Sequence, residues 1–425
     1  MIGHVVLVFL ACSGKNADTA DGRSGQSGQA SGPLRRVAVS ETAKGKVVIT
    51  DGTGGNVGGE ICLSELHPDT CQSNDDLVNP CLMFGTHMQD DGRMLLTYTL
   101  RDPDKPYAPS AITLLEPAHP PIKTWTISEL AIPAALQEQE QLDCANNPLS
   151  PNCSLNAAHS AWLLDEETLL VADTSNHRIL WLKPPRDGET APVTHILSTQ
   201  NPQWIDERNP NQVQRLDIDG NPHILITFKS HQTEAGEQID EGRLVMWDIS
   251  EPDSPQRVWT FPSEGGLAAV HQGWVQETPA GTMLLYAHSA GAQNSELDNQ
   301  YGSLGFAAFN GVAPPQYMAD GLLAGAGIGF TRDVEWDPDS NALLVVDSGC
   351  ENIQDRCGRS GEILAFDFPE LQISGKSGAY ATNHAEQHFI ELNLQNTLVK
   401  RQLRFPFEVD PLQPGDWVKL GTCAP

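Results

Sequence analysis

The chain has 425 residues and a formal net charge of -29, from 55 acidic and 26 basic side chains. This charge makes nucleic acid and an anionic bilayer surface poor partners, because both would be repelled at long range. Hydrophobic residues make up 39% and aromatic residues 6% of the chain, a composition that favours many small strand contacts over a few large helices. No run of about 18 apolar residues occurs, so the sequence predicts no membrane-spanning helix.

The first 36 residues are predicted to be an export signal and a tether. Val5 to Ala11 is a short apolar run that ends in a small residue directly before Cys12, which is typical of a bacterial lipoprotein signal with Cys12 acylated. Residues 13–36 begin with a Gly/Ser/Asp-rich stretch that cannot bury a core, so we assign them as a disordered tether. Ser13 after the cysteine favours the outer membrane by analogy with lipoprotein sorting. A buried or disordered apolar end with a chance cysteine is the alternative.

Eight further cysteines predict four disulfides in an exported chain. They are Cys62, Cys71, Cys81, Cys144, Cys153, Cys350, Cys357 and Cys423. Cys144 with Cys153 and Cys350 with Cys357 are predicted as local clamps on loops, since neither pair has a nearer alternative. Cys423 is expected to pair with one of the first three and so to join the two ends of the chain. A zinc site is the alternative, but paired C-x-x-C motifs are lacking.

Five segments of the chain repeat one pattern of short apolar strands. Second strands are predicted at Met94–Leu100, Leu169–Ala172, Ile224–Phe228, Met283–Ala287 and Leu343–Asp347. Third strands are predicted at Ala111–Leu115, Arg178–Leu182, Gly242–Asp248, Gly302–Phe309 and Gly361–Asp367. Fourth strands are predicted at Lys123–Ile127, Val193–Leu197, Arg257–Phe261 and His388–Leu392. Turns rich in Asp, Gly, Pro and Asn join the first and second strands, which indicates a hairpin in each repeat.

Four short antiparallel strands per repeat are typical of a propeller blade, and a lone blade cannot bury both of its faces. The sequence therefore predicts an all-β fold, a single β-propeller of about six four-stranded blades over residues 37–425. Strands from both termini would close the ring and remove its exposed edges. The predicted closing strands are Val37–Ser40, Lys46–Thr50 and Glu60–Leu66, with Lys400–Phe405 or Trp417–Leu420. Seven blades are the alternative, and one helix is predicted within Glu129–Gln141.

The stretch Ala158–Leu182, AHSAWLLDEETLLVADTSNHRILWL, is similar to the repeats of two propeller families. Its tail, VADTSNHRI, resembles the signature of NHL-repeat propellers, and the whole stretch resembles the repeat of bacterial arylsulfotransferases. Val270–Ala290 and Arg332–Ser348 repeat the same layout. The resemblance implies the propeller architecture, while activity depends on side chains that differ among propellers.

Polar side chains fall at matching positions when the blades are aligned on an inner-strand tryptophan. His159 opens H-S-A-W, His271 opens H-Q-G-W and Asp333 opens D-V-E-W, and the first blade offers His87. Matching inner-strand positions converge around the axis of a propeller. The sequence therefore predicts a cluster at one mouth of the central channel, with His87 and Asp333 lining the channel and Arg332 beside them.

Two functions stay open from the sequence. The first is a lipid-anchored, extracytoplasmic propeller that binds an unknown ligand or a surface protein through its loop faces, as a monomer and without a required cofactor. The second follows from the arylsulfotransferase resemblance, which implies sulfuryl transfer through a covalently modified histidine. His271 and His159 would be catalytic, and Arg332 would stabilise charge on the transferred oxygens. A divalent metal on converging imidazoles in the channel, with Asp333 as a fourth ligand, is a further alternative.

Overall fold

Short strands separated by tight turns dominate the computed structural model. It describes residues 37–50, 57–71, 81–89, 91–100, 107, 109–204, 207–232, 238–239, 241–268, 270–279, 281–288, 302–322, 330–338, 342–348, 362–367, 373–377, 388–390, 406–412, 417 and 423. These residues form 28 strands, numbered β1 to β28 in chain order. The two α-helices are α1 (Leu63–Leu66) and α2 (Ala134–Gln139).

Blades 1 to 3 come from the first half of the chain and the C-terminal strand. Blade 1 contains β1 (Val37–Glu41), β2 (Lys46–Thr50), β3 (Val57–Cys62) and, as its innermost strand, β28 (Pro406–Pro411). Blade 2 contains β4 (Met83–Met88), β5 (Met94–Thr99), β6 (Ser110–Glu116) and β7 (Ile122–Ile127). Blade 3 contains β9 (Ser160–Asp165), β10 (Thr168–Asp173), β11 (Arg178–Leu182) and β12 (Thr190–Ser198), with β8 (Glu129–Ala131) parallel to β12.

Blades 4 to 6 follow in order. Blade 4 contains β13 (Glu207–Ile218), β14 (Asn221–Gln232), β16 (Glu241–Asp248) and β17 (Gln256–Phe261), with β15 (Gln238–Ile239) beside β14 and β18 (Leu267–Ala268) beside β16. Blade 5 contains β19 (Val270–Thr278), β20 (Gly281–His288), β21 (Ser303–Asn310) and β22 (Ala313–Leu322). Blade 6 contains β23 (Thr331–Asp337), β24 (Ala342–Asp347) and β25 (Glu362–Asp367). A separate two-stranded sheet is formed by β26 (Ile373–Ser377) and β27 (His388–Ile390).

The predicted hairpin repeat and the six-bladed propeller are confirmed. All five predicted second strands coincide with β5, β10, β14, β20 and β24, and all five third strands with β6, β11, β16, β21 and β25. Strands β7, β12 and β17 lie where fourth strands were expected. Within the described part of the chain, no helix has the length and apolar character needed to cross a bilayer.

The closing strand is β28, which lies between the two segments predicted for it. Residues 400–405 and 418–420 lie outside the described part of the chain. Trp417 belongs to no strand, and its buried indole N–H donates to a backbone carbonyl in the turn between β4 and β5 at 3.1 Å. The prediction missed β28 because Glu408 and Asp410 interrupt the apolar pattern of the strand.

Three other predicted segments differ in type or pairing. The predicted strand Glu60–Leu66 gives way after β3 to α1, whose Leu63 packs between blades 1 and 2. The predicted helix Glu129–Gln141 begins as strand β8, and α2 starts only after Pro133. Proline is tolerated at the start of a helix but not in its interior, so the helix cannot begin earlier. His388–Leu392 was expected to complete blade 6, but β27 pairs with β26 rather than with β25.

The hydrophobic core consists of six layers, each between two neighbouring blades. Between blades 5 and 6, Trp336 packs with Phe306. Between blades 6 and 1, Leu344 packs with Val39 of β1 and Val409 of β28. Because one blade cannot cover both of its own faces, every layer depends on the neighbour across it. The layer at β28 therefore completes the ring.

Three disulfides lie among the described residues. They join Cys62 to Cys423, Cys71 to Cys81 and Cys144 to Cys153. The first confirms that Cys423 ties the two ends of the chain together, and the third confirms a local clamp. Cys350 and Cys357 lie outside the described residues, so their pairing stays a prediction.

We expect the Cys62–Cys423 disulfide to stabilise the fold far more than the Cys144–Cys153 disulfide. The bonded residues are separated by 361 positions in the first case and by 9 in the second. In the chain-entropy model, replacing both cysteines by serine should cost roughly 6 kcal/mol for the long loop and roughly 2.5 kcal/mol for the short one. Urea unfolding of the two double variants, followed by tryptophan fluorescence, measures both losses. Equal losses would contradict this prediction.

Candidate functional site

The inner strands of four blades carry a β-bulge at the same place. In β4, β13, β19 and β23 the register against the second strand shifts at Phe84, Asn211, His271 and Arg332. In blade 3, His159 lies directly before β9, at the corresponding position. A bulge interrupts the regular alternation of side chains and re-aims the bulged residue. Five blades therefore present one re-aimed or strand-initiating side chain each, near the end of the channel where the inner strands begin.

These five residues, Phe84, His159, Asn211, His271 and Arg332, form a continuous belt that we call the mouth ring. The rings of Phe84 and His159 lie 4.2 Å apart between centroids, and Nδ1 of His159 lies 2.5 Å from Oδ1 of Asn211. Nδ2 of Asn211 donates to the carbonyl oxygen of His271 at 2.8 Å. Nη1 of Arg332 donates to Nε2 of His271 at 2.6 Å. The mouth ring thus links blades 2 to 6 by a continuous series of contacts.

Burial keeps both imidazoles of the mouth ring neutral at pH 7. It lowers the pKa of His159 to about 3, against the opposing hydrogen bond to Asn211. Burial, followed by the charges of Arg332 and Lys229, holds the pKa of His271 well below its usual range. A guanidinium can only donate, so Nε2 of a neutral His271 accepts the bond from Arg332, while Nδ1 lies 3.2 Å from Nδ2 of Asn211. The lone pair that a nucleophilic His271 would need is therefore already engaged.

Arg332 is fixed by contacts on several sides. Its Nε donates to Oγ of Ser348 at 3.2 Å, and its guanidinium carbon lies 4.2 Å from the centre of the Phe330 ring. With 4% of its surface exposed, it brings a positive charge into the channel wall. Lys229 adds a second positive charge close enough to affect both histidines. Arg332 and Lys229 thus place two positive charges at this end of the channel, where the buried carboxylate of Asp347 also accepts from the backbone N–H of Phe330 at 2.8 Å.

Four carboxylates lie next along the channel, and we call Asp333, Glu335, Glu408 and Asp410 the hub carboxylates. The backbone N–H of Val409 donates to Asp333 at 3.1 Å. Burial raises the pKa of Asp333 to about 6 and that of Asp410 to about 7. For Glu335 and Glu408, burial and repulsion by neighbouring carboxylates raise the pKa well above its usual range.

His87 lies among the hub side chains rather than in the mouth ring. Its imidazole lies 4.0 Å from the ring of Trp162 and 6.2 Å from that of Trp274, measured between centroids. Burial lowers its pKa to about 4. Counted from the bulges, His87 occupies the position of the two tryptophans, so Phe84 is the residue that matches His159. The tryptophan alignment therefore placed His87 three positions too far along β4.

In blade 6 the tryptophan alignment is off by one residue relative to the bulge. The bulge in β23 falls at Arg332, so Arg332 matches His271 and Asp333 matches the next residue, Gln272. Trp336, which guided the alignment, packs in the layer between blades 5 and 6 instead of lining the channel. Asp333 nevertheless faces the channel, where it accepts the indole N–H of Trp274 at 3.0 Å.

The sequence signature in blade 3 has a structural role. Asp173 is fully buried and accepts from Nε of Arg178 at 2.8 Å and from Nδ2 of Asn176 at 2.9 Å. Nδ2 of Asn176 also donates to the carbonyl of Ser154 at 3.0 Å. His177 adopts the left-handed conformation and accepts from a backbone N–H at its Nδ1. The D-T-S-N-H-R run thus closes the turn between β10 and β11, and Oγ1 of Thr174 donates to the carbonyl of Pro210, next to Asn211 of the mouth ring, at 2.7 Å.

Metal ligation finds no support in this arrangement. Among the described residues, no group of three or more His, Cys, Asp or Glu side chains is placed to hold a metal ion. The imidazoles of His159 and His271 are bridged by Asn211 instead of converging on one point.

Comparison with known proteins finds similarity to solved structures but no family. No family model and no curated protein matches it. Similar solved structures include the periplasmic gluconolactonase of Pseudomonas aeruginosa, with 12% identity and a TM-score of 0.45 over 89% of this chain and 99% of that one. A hypothetical selenium-binding protein from Sulfolobus tokodaii has 11% identity and a TM-score of 0.45, covering 93% and 97%. A putative 6-phosphogluconolactonase from Bacteroides uniformis has 11% identity and a TM-score of 0.42, over 88% of this chain and 99% of that one.

We expect Asn211→Ala to destabilise the protein strongly. Asn211 is fully buried, and its loss leaves a donor on His159 and the carbonyl of His271 without their partner. Two such buried groups predict a loss of roughly 2 to 4 kcal/mol in the free energy of unfolding. Asn146→Ala, at an exposed residue that bonds only its neighbour Asp143, is the matched control, with an expected change within about 0.5 kcal/mol. Similar losses in both variants would count against the mouth ring as a structural belt.

Proposed function

We propose that the protein is a lipid-anchored, extracytoplasmic β-propeller that binds a small anionic ligand at the mouth ring and the loops around it. The observation that carries this proposal is the mouth ring itself, in which a buried arginine and two neutral imidazoles meet at one end of the channel. Ligand sites of propellers and barrels favour such mouths, where a few polar groups meet in a concave surface.

Loop lengths also favour the mouth-ring end of the channel as the place of the binding surface. At the mouth-ring end, residues 132–159 form a long connection from β8 to β9. At the opposite end, residues 166–167 and 219–220 join the first and second strands of blades 3 and 4 by short turns. Long connections on a rigid scaffold are where binding residues concentrate, so we place the recognition surface on the side of the mouth ring.

Charge supports an anion as the ligand. Arg332 and Lys229 place two positive charges at the mouth ring, and a guanidinium matches the geometry of a carboxylate, sulfate or phosphate group. His159 is half-buried, so of the two imidazoles it is the more accessible to a ligand. The long-range repulsion from the net charge is screened over a Debye length of about 8 Å at physiological ionic strength, which leaves the local field to act at close range.

The binding site is tested by calorimetric titration with 4-nitrophenyl sulfate. We expect Arg332→Gln to weaken binding roughly 10-fold to 100-fold, because a charge-assisted hydrogen bond contributes about 1.5 to 3 kcal/mol. Arg215→Gln is the matched control, since Arg215 lies toward the opposite end of its inner strand and bonds the carbonyl of Leu164. Thermal unfolding of both variants checks that each is folded. No measurable binding by the unaltered protein, or equal affinity in the two variants, would overturn the proposal.

A sulfotransferase-like enzyme is the second candidate, and one contact favours it. Arg332 bonds His271 directly, as transfer through that histidine would require. Against it, His271 is only 1% exposed and its Nε2 is engaged. Release of 4-nitrophenol in the presence of a phenol acceptor, lost in His271→Ala, would favour the enzyme over simple binding.

The three disulfides support an oxidising, extracytoplasmic compartment. Cys12 and the tether 13–36 lie outside the described residues, so the lipid anchor rests on the sequence pattern.

We expect Cys12→Ser to move the protein from the membrane fraction to the soluble fraction of fractionated cells. Ser13→Ala is the control and should stay with the membranes. Continued membrane association of Cys12→Ser would argue against acylation at that residue.

A further inference from the structure

The hub carboxylates form a concentration of acid groups with little compensating positive charge. They come from β23 and β28, and the same region holds Asp337 on β23, His87 on β4 and the guanidinium of Arg332 in the mouth ring. Within the described residues, the ion pair found for them is the 3.9 Å approach of His87 to Asp410. Burial keeps His87 uncharged near neutral pH. Ionised together, the four carboxylates would repel one another at close range.

Two side chains in this region, Gln272 and the hub carboxylate Glu335, have an oxygen without a bonding partner among the described residues. Gln272 is fully buried, its Nε2 donates to Glu408, and its Oε1 has no hydrogen bond. Glu335 is half-buried at the channel wall and forms no hydrogen bond or ion pair in the described part of the chain. A buried amide oxygen without a donor costs roughly 1 to 3 kcal/mol. Both groups therefore point to a missing donor with positive charge.

The geometry points to a site in the channel hub for a primary ammonium group. Such a group carries one positive charge and three N–H donors, which suit the free oxygen of Gln272 and the nearby carboxylates. The indole rings of Trp162 and Trp274, 6.1 Å apart between centroids, lie beside the hub and can attract a cation through their faces.

The cation would enter from the end opposite the mouth ring. His87, Trp162 and Glu335 are all partly exposed, whereas Glu408 and Gln272 are buried. A ligand coming from that side meets the aromatic rings first and the unpartnered amide oxygen last. The site is thus separate from the mouth ring, and it stands whether or not an anion binds there.

Binding at the hub should strengthen as the pH rises. The raised pKa values of Asp333 and Asp410 mean that the folded protein favours their protonated forms. The stability that these protonated carboxyl groups contribute to the fold is fully present at pH values below their pKa in the unfolded chain. It is lost as the pH rises through about 6 for Asp333 and about 7 for Asp410. An ammonium group offsets the charges that appear over this range, so it should stabilise the protein at pH 8 and have little effect at pH 5.

The test measures the thermal unfolding temperature and the affinity for methylammonium, with sodium and tetramethylammonium at equal ionic strength as comparison cations. Tetramethylammonium carries the charge but no N–H donor, so it cannot satisfy Gln272. We expect methylammonium to raise the unfolding temperature at pH 8 above both comparison cations. Glu335→Gln should weaken methylammonium binding at least roughly tenfold, equivalent to about 1.4 kcal/mol. Glu277→Gln on the neighbouring inner strand, at an exposed residue, should leave it unchanged.

Three results would overturn the proposal. They are no selective effect of methylammonium at pH 8, equal effects of methylammonium and tetramethylammonium, and unchanged affinity in Glu335→Gln. Should Glu335→Gln not fold, Gln272→Met replaces it, and the same tenfold weakening is expected because the amide oxygen is removed. A pH-dependent stability without any cation effect would mean that the hub carboxylates hold protons only.

Discussion

Burial of both faces of every blade is the constraint on which the rest of this structure depends. A four-stranded blade is apolar on two sides, so six of them are stable only as a closed ring. Closure requires β28 to pair with β1 across nearly the whole chain, a contact that costs loop entropy before it contributes any stability. The disulfide between Cys62 and Cys423 lowers this cost by keeping the ends together. Because β28 is the innermost strand of its blade, closure also carries Glu408 and Asp410 into the channel.

The bulges determine where chemistry can occur. A regular inner strand alternates its side chains between the two neighbouring blades, so nothing directs a particular residue towards the axis. One extra residue at the same place in four blades breaks this alternation and produces a belt of mutual contacts. The mouth ring is therefore a product of backbone irregularity as much as of side-chain type. Asn211 shows this, since its amide joins His159 to His271 only because its strand is bulged there.

The sequence predicted the parts of the fold that depend on local pattern. Alternation and turn residues located the hairpins of five blades, and cysteine spacing located the Cys144–Cys153 clamp. The closing strand was missed because its acidic side chains lie in the channel and interrupt the apolar pattern by which a strand is predicted. A bulge inserts one residue without leaving a mark in composition, so alignment on tryptophan matched Asp333 instead of Arg332 to His271. Phe84 was hidden by the same error, although a spacing of three residues before His87 would have found it.

The buried carboxylates of the channel have contacts that belong to the fold and a charge that the fold alone does not balance. Glu408 accepts from the backbone N–H of Thr86 and from Nε2 of Gln272 at its two oxygens, and Asp410 accepts from the hydroxyl of Thr86 and the backbone N–H of Met88. An amide has one acceptor oxygen, so these bonds use the carboxylates fully, but burying several of them near one another still costs folding free energy. In the proposal made above, an ammonium group in the hub offsets this cost. The buried arginine at the mouth ring and the carboxylates deeper in the channel are the reason that we propose ligands of opposite charge for the two ends.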